Sequence, residues 1–199
     1  MAKSVAFLLF PGFEMLDFYG PLSVFGSKKL ADAYRILTVS EVAGPVPSSY
    51  GVSTITEFDF ATCPQPDILL VSGEFLFSLL CACPSRHDRH HLHTGGIGTR
   101  GEVHNETLLS FMRRCMDGDR HLLTVCTGAG LAAAAGLLDG RRATTNKGAW
   151  AWATGQSRGV AWQKQARWVE DGRVWTSAGV TAGVLFFWHA AASCSLERD

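Results

Sequence analysis

Six cysteines and seven histidines hold most of the nucleophilic and proton-transferring capacity of this 199-residue chain, and their setting separates one thiol from the rest. Cys126 follows the apolar run Leu122-Leu-Thr-Val125 and precedes Thr127-Gly-Ala129 and a stretch rich in Ala and Leu. That order predicts a buried strand delivering a thiol onto a turn at the start of a helix. Backbone N–H groups and the positive end of a helix dipole favour a thiolate there, Gly128 permits close approach, and the Thr127 N–H is placed as an oxyanion donor. A buried structural cysteine is the alternative, since free cysteine is among the most buried residue types. The strand-turn-helix context favours the nucleophile.

A second cluster lies between Glu74 and Thr94, where Cys81, Cys83, His87, His90, His91 and His93 are all competent zinc ligands. Their spacings match no zinc module, so no metal is expected. The segment has neither helical nor strand periodicity and reads as an atypical insert at 74–94. The six cysteines are scattered without the spacing of a small disulfide scaffold, which fits free thiols in a reducing, cytoplasmic compartment.

The elements that must position Cys126 alternate along the chain. Val5 to Phe10 reads as a strand, Leu16 to Leu30 as mostly helix, Arg35 to Ser40 as a strand, and Asp67-Ile-Leu-Leu-Val71 as a buried parallel strand ending in Ser-Gly. Pro45 to Phe60 holds a turn between short strand-like pieces. Val103 to Met116 carries an apolar stripe at helical spacing, His121 to Val125 is a strand, and Thr127 to Leu138 is a helix stopped by Asp139-Gly140. Ala143 to Asn146 and Val174 to Ser177 read as later strands, and Gly179 to His189 as a last helix cut short from about residue 184. This rhythm predicts an α/β fold with a mostly parallel central sheet covered on both faces, in one domain spanning 1–199.

Eighteen basic residues balance eighteen acidic ones, which gives no positive field to gather nucleic acid or an anionic membrane. No apolar run approaches the ~20 residues of a membrane-spanning helix, and Val5 to Phe10 is a poor signal peptide. The partner expected is a small molecule. Trp150, Trp152, Trp162, Trp168 and Trp175 are candidates for a pocket lining, with packing as the commoner role.

Four motifs resemble the ThiJ/PfpI superfamily: Val125-Cys-Thr-Gly-Ala129 with Ala135-Gly-Leu-Leu-Asp-Gly-Arg-Arg-Ala-Thr-Thr145; Phe10-Pro-Gly-Phe-Glu-Met-Leu-Asp-Phe-Tyr-Gly-Pro21; Asp67-Ile-Leu-Leu-Val-Ser-Gly73; and Val174-Trp-Thr-Ser-Ala-Gly-Val-Thr-Ala-Gly183. The Leu-Asp…Gly-Pro loop looks most like the isocyanide hydratase branch. The resemblance implies a flavodoxin-like three-layer sandwich with a nucleophile elbow, Cys-dependent addition of water to an isonitrile, no cofactor, and a homodimer. It places Asp17 beside the cysteine as a proton shuttle, with helix capping as that residue's bland alternative. Glu14 is the less favoured acid of the same loop. It also pairs Ser72-Gly73 with Gly96-Ile-Gly-Thr99 as halves of one glycine loop, in which Gly73 and Gly96 offer N–H groups to substrate. Where hydrolytic members have a histidine, this chain has Asn146-Lys147, which argues against a Cys-His dyad. Glyoxalase- or deglycase-like chemistry, a cysteine redox sensor and an inactive variant are the competing readings.

Overall fold

The computed structural model describes residues 2–74, 98–183, 186 and 188. Short apolar runs become the strands of a six-stranded sheet: β1 (Lys3–Leu8), β2 (Tyr34–Val39), β5 (Ile68–Val71), β6 (His121–Val125), β9 (Trp168–Asp171) and β10 (Val174–Ser177), in the order β2-β1-β5-β6-β10-β9. The first five in that order are parallel, and β9 runs antiparallel along the far edge. Every residue of β5 and β10 is buried, as strands covered on both faces must be, whereas β2 at one edge alternates between buried and accessible positions. Counted along the chain, the parallel strands follow the 2-1-3-4-5 flavodoxin order, whose ligands sit outside the carboxyl ends of the strands near the switch point. That switch falls between β1 and β5, so the loops after β1, β5 and β6 converge.

The remaining strands form two small pairs, β3 (Gly44–Pro47) with β4 (Ser53–Thr56), and β7 (Arg142–Ala143) with β8 (Ala161–Trp162). Helix α1 (Met15–Phe25) packs on the sheet through aromatic edges, with Phe7–Phe18 and Phe7–Phe25 ring centroids 5.5 and 6.2 Å apart. Helix α3 (Glu106–Cys115) is the helix expected from Val103, and a break separates it from α2 (Gly98–Glu102), which was not expected. The break has a local cause: the Asn105 side chain accepts from the Thr107 and Leu108 N–H groups and starts α3 afresh. Helix α4 (Gly128–Ala134) is shorter than the expected Thr127 to Leu138, because the chain turns at Gly136, whose φ is 76°.

The predicted strand Ala143 to Asn146 is mostly not a strand. Past Ala143 the Thr144 N–H donates to Thr176 Oγ1 at 2.8 Å, so the β7 ladder stops and the chain turns toward Cys126. A short helix, α5 (Trp150–Thr154), follows. Residues 180–183 are helical, as expected of the last helix. Most of the insert and of the chain beyond 184 lies outside the described residues.

Candidate active site

Strand β6 ends at Val125, and the next residue is bent into a conformation that L side chains rarely take. Cys126 has φ 56°, the one positive φ at a non-glycine among the described residues. A left-handed residue costs roughly 1–2 kcal/mol, so the turn has to be held from outside. The Cys126 N–H donates to Ser177 O at 3.0 Å, continuing the β10 side of the ladder, and its carbonyl accepts from Thr145 Oγ1 at 3.0 Å. Two glycines let the loop after β5 close onto this elbow. A Cβ at Gly128 would lie 2.5 Å from Val71 O, and one at Gly73 would lie 2.6 Å from Thr127 N.

Four groups surround the thiol. Asn146 Nδ2 donates to Cys126 Sγ at 3.1 Å, the thiol lies 3.3 Å from Glu74 O, and the Thr127 N–H and the Asp17 carboxyl complete the shell. The Asn146 amide cannot easily turn, because its Oδ1 accepts from the Gly148 and Ala149 N–H groups at 2.9 and 3.1 Å. Asn146 therefore presents N–H to sulfur where an imidazole would present a base. Sequence reasoning noted this residue only as the absence of a histidine. The available signal was the Asn-x-Gly turn, whose side-chain carbonyl is occupied by its own backbone and whose amide NH₂ is left over.

Asp17 stands in the first turn of α1, fully buried, with Oδ2 accepting from the Gly73 N–H at 3.2 Å. Gly73, expected to offer its N–H to substrate, spends it on orienting this acid. The helix cap is Glu14, which accepts from the Leu16 N–H at 3.1 Å and from the Tyr50 hydroxyl at 3.1 Å. Capping is thus done by the neighbour, and Asp17 faces the thiol. Burial, followed by the nearby Glu14 carboxylate, holds Asp17 well above the usual carboxylate range, against the Gly73 N–H and the thiol. Burial and the Asp17 carboxylate push the Cys126 thiol up, while the Thr127 N–H and the Asn146 amide pull it down. These directions are compatible when Asp17 keeps its proton: its repulsion of a thiolate disappears and its O–H can donate to sulfur.

Glu74, read as the first residue of the insert, belongs to the site. It is buried, its N–H donates to Thr127 Oγ1 at 2.7 Å, its Oε2 accepts from the Thr99 N–H at 2.9 Å, and it forms an ion pair with Arg100. The two halves of the interrupted glycine loop therefore meet through Glu74 and Thr99. Gly96, the other expected donor, lies outside the described residues, as do Cys81, Cys83, His87, His90, His91 and His93. Among the described residues no cluster of three or more metal-ligating side chains occurs.

Comparison with known proteins bears on the family and the fold. The sequence model of the DJ-1/PfpI family matches residues 91–192. The chain is 33% identical over 186 residues to a Pseudomonas putida protein named isonitrile hydratase, covering 94% of this chain and 69% of that one. This chain belongs to the DJ-1/PfpI family. Among solved structures it is similar to a ThiJ/PfpI family protein from Pseudomonas syringae, with TM-score 0.71, 26% identity and coverage of 100% of this chain and 76% of that one. Drosophila melanogaster DJ-1beta shares the fold, with TM-score 0.75 at 17% identity over 97% of this chain and 90% of that one.

In this DJ-1/PfpI chain Cys126 borders a cavity of about 380 Å³ lined also by Asn146, Lys147, Arg167 and residues 178–182, where β10 gives way to the last helix. Its volume suits a small molecule. The tryptophans do not line it: Trp150 packs edge-on against Trp162, Trp152 lies over Gly130 and against Arg100, and Trp175 packs on Phe186. No helix of the described residues is long and apolar enough to cross a membrane.

Proposed function

We propose that this protein is a cysteine-dependent hydratase that adds water to an isonitrile and releases an N-substituted formamide. The observation that carries the reading is the setting of Cys126 Sγ at the end of β6, between the Asp17 carboxyl and the locked Asn146 amide. Kinship with a protein named isonitrile hydratase supports the choice of substrate class.

The chemistry balances on these residues alone. Asp17 gives its proton to the terminal carbon of the isonitrile while the Cys126 thiolate bonds to the same carbon, leaving a thioimidate, R–N=CH–S. Water adds to that carbon, one of its protons passing to nitrogen. The C–S bond then breaks as the C=O forms, the second water proton returns to Asp17, and the thiolate is restored. Once sulfur is bonded to carbon, the Thr127 N–H and the Asn146 amide are left to steady the charge at the reacting centre.

The test is formamide production from small isonitriles, followed by chromatography, with Cys126→Ala and Asp17→Asn beside the parent. We expect Cys126→Ala to abolish turnover and Asp17→Asn to lower it at least 100-fold. Turnover retained in Cys126→Ala would overturn the reading, and conversion of 2-oxoaldehydes instead of isonitriles would move it to glyoxalase-like chemistry. We extend the proposal to a cytoplasmic homodimer on the strength of the ThiJ/PfpI resemblance, and light scattering on the purified chain tests the dimer.

A further inference from the structure

The cavity in front of Cys126 is electrically one-sided. Its lining includes two cationic side chains, Lys147 and Arg167, and no carboxylate among the described residues. Asp17 and Glu14 approach the thiol from the far side and are absent from the lining. Lys147 is steadied by Thr144 Oγ1 at 2.6 Å and by the Trp150 ring, 4.9 Å from its centroid. Both leave its charge uncompensated.

Arg167 is placed by strand register. Its carbonyl accepts from the Ala178 N–H at 2.8 Å, one step beyond the Trp168–Ser177 rung, and the Cys126 N–H donates to Ser177 on the other side of β10. Arg167 and Cys126 are therefore two strand spacings apart across the end of the sheet, roughly 10 Å between backbones. Arg167 has no acidic partner among the described residues, unlike Arg113, Arg120 and Arg173, which are paired with Glu106, Asp67 and Asp119. Two cations facing one small cavity raise the local concentration of anions and align them.

We infer that the electrophile taken by this site carries a carboxylate or a comparable small anionic group, held by Lys147 and Arg167 while its reacting carbon meets Cys126. The inference rests on the proposed role of Cys126 as nucleophile and narrows its substrate class. Within an isonitrile reading, the preferred substrate is an isocyano acid over a neutral isonitrile.

A pair of alkylating reagents tests this without the natural substrate. Iodoacetate and iodoacetamide differ in little but charge, and the alkylated Cys126 peptide can be quantified by mass spectrometry. The ratio of their rates at Cys126 is compared with the same ratio for free cysteine at low ionic strength and pH 7. We expect the ratio to exceed that of free cysteine roughly five- to tenfold, to shrink as salt is added, and to fall in Arg167→Gln and Lys147→Gln. Each ratio is taken within one variant, so a change in the thiolate fraction, which alters both rates alike, cancels and leaves only the effect of the reagent's charge. Brisk alkylation with the ratio of free cysteine, or a raised ratio that both variants keep, would overturn this inference alone. A thiol inert to both reagents would overturn the nucleophile reading and this inference with it.

Discussion

At the level of single residues, the chemistry of the site depends on which side chains can hold or refuse a proton. Asn146 cannot titrate, so its Nδ2–H can only favour negative charge on sulfur. Replacing it with Ala should raise the thiol pKa and slow alkylation of Cys126 by iodoacetamide at pH 7 about tenfold, the loss expected of one hydrogen bond to a charged group. Measuring the rate against pH separates this from a change of access, which would lower the plateau instead of moving the curve. Asp17 gives a prediction of the opposite kind. Its folded-state pKa lies above its unfolded value, so folding takes up a proton, and its contribution to stability is full at low pH and lost as pH rises through the folded pKa. Asp17→Asn should therefore raise the melting temperature at pH 7 and change it little near pH 3.5; a greater gain at pH 3.5 would refute the assignment. Burial pushes Cys63 up to about 11 and Cys115 up to about 12, and it raises Cys126 too; what sets Cys126 apart is the pair of N–H donors, Thr127 and Asn146, beside its sulfur. The elbow at Cys126 was legible in the sequence because strand, turn and helix signals flank it, whereas the nearness of Asp17 followed only from the ThiJ/PfpI resemblance. Asn146 was not, since its role arises from a turn that aims a leftover amide at a residue 20 positions away.

At the level of elements, the site is built from three strand ends and the glycines that let them touch. Strands β1, β5 and β6 were readable as largely apolar runs because they are covered on both faces, and periodicity then matters less than length and flanking turns. The helix boundaries were less readable, since caps and left-handed turns overrode the apolar stripe at Asn105 and Gly136. Edge strand β9 and helix α5 carry no strong pattern and went unread. The closeness of β5 to the start of α4 makes a sharp prediction. Gly128→Ala places a methyl group 2.5 Å from a backbone oxygen that belongs to a buried strand and cannot move aside. Despite the better helix propensity of Ala, this should cost about 2 kcal/mol and lower the melting temperature by roughly 4–8 °C, measured by circular dichroism.

At the level of the whole molecule, the 2-1-3-4-5 order accounts for why residues from the first, third and fourth parallel strands share one site: the switch point brings their carboxyl ends together whatever the loops contain. The α/β class followed from the alternation of strands and helices. The strand order came only with the structure, because parallel pairing is settled by long-range contacts that leave no local trace. The β3–β4 pair is the clearest case of such action at a distance, since its turn reaches back to brace the loop after β1, with Ser49 Oγ donating to Gly12 O at 2.6 Å and Tyr50 to Glu14.

The contact between Glu74 and Thr99 has a consequence for how the chain may be cut and rejoined. Two points that already touch form a ring with whatever chain lies between them, and closing a ring costs entropy only as the logarithm of its length. Replacing residues 75–97 with four Gly/Ser residues should therefore change stability by no more than about 1.5 kcal/mol from loop closure. Thermal melting checks the fold, and the iodoacetamide rate at Cys126 checks the site. By the same logarithm, a longer segment between these two residues would cost little more in loop closure, so the length of chain joined at this seam, a few ångströms from Cys126, is a weak determinant of stability.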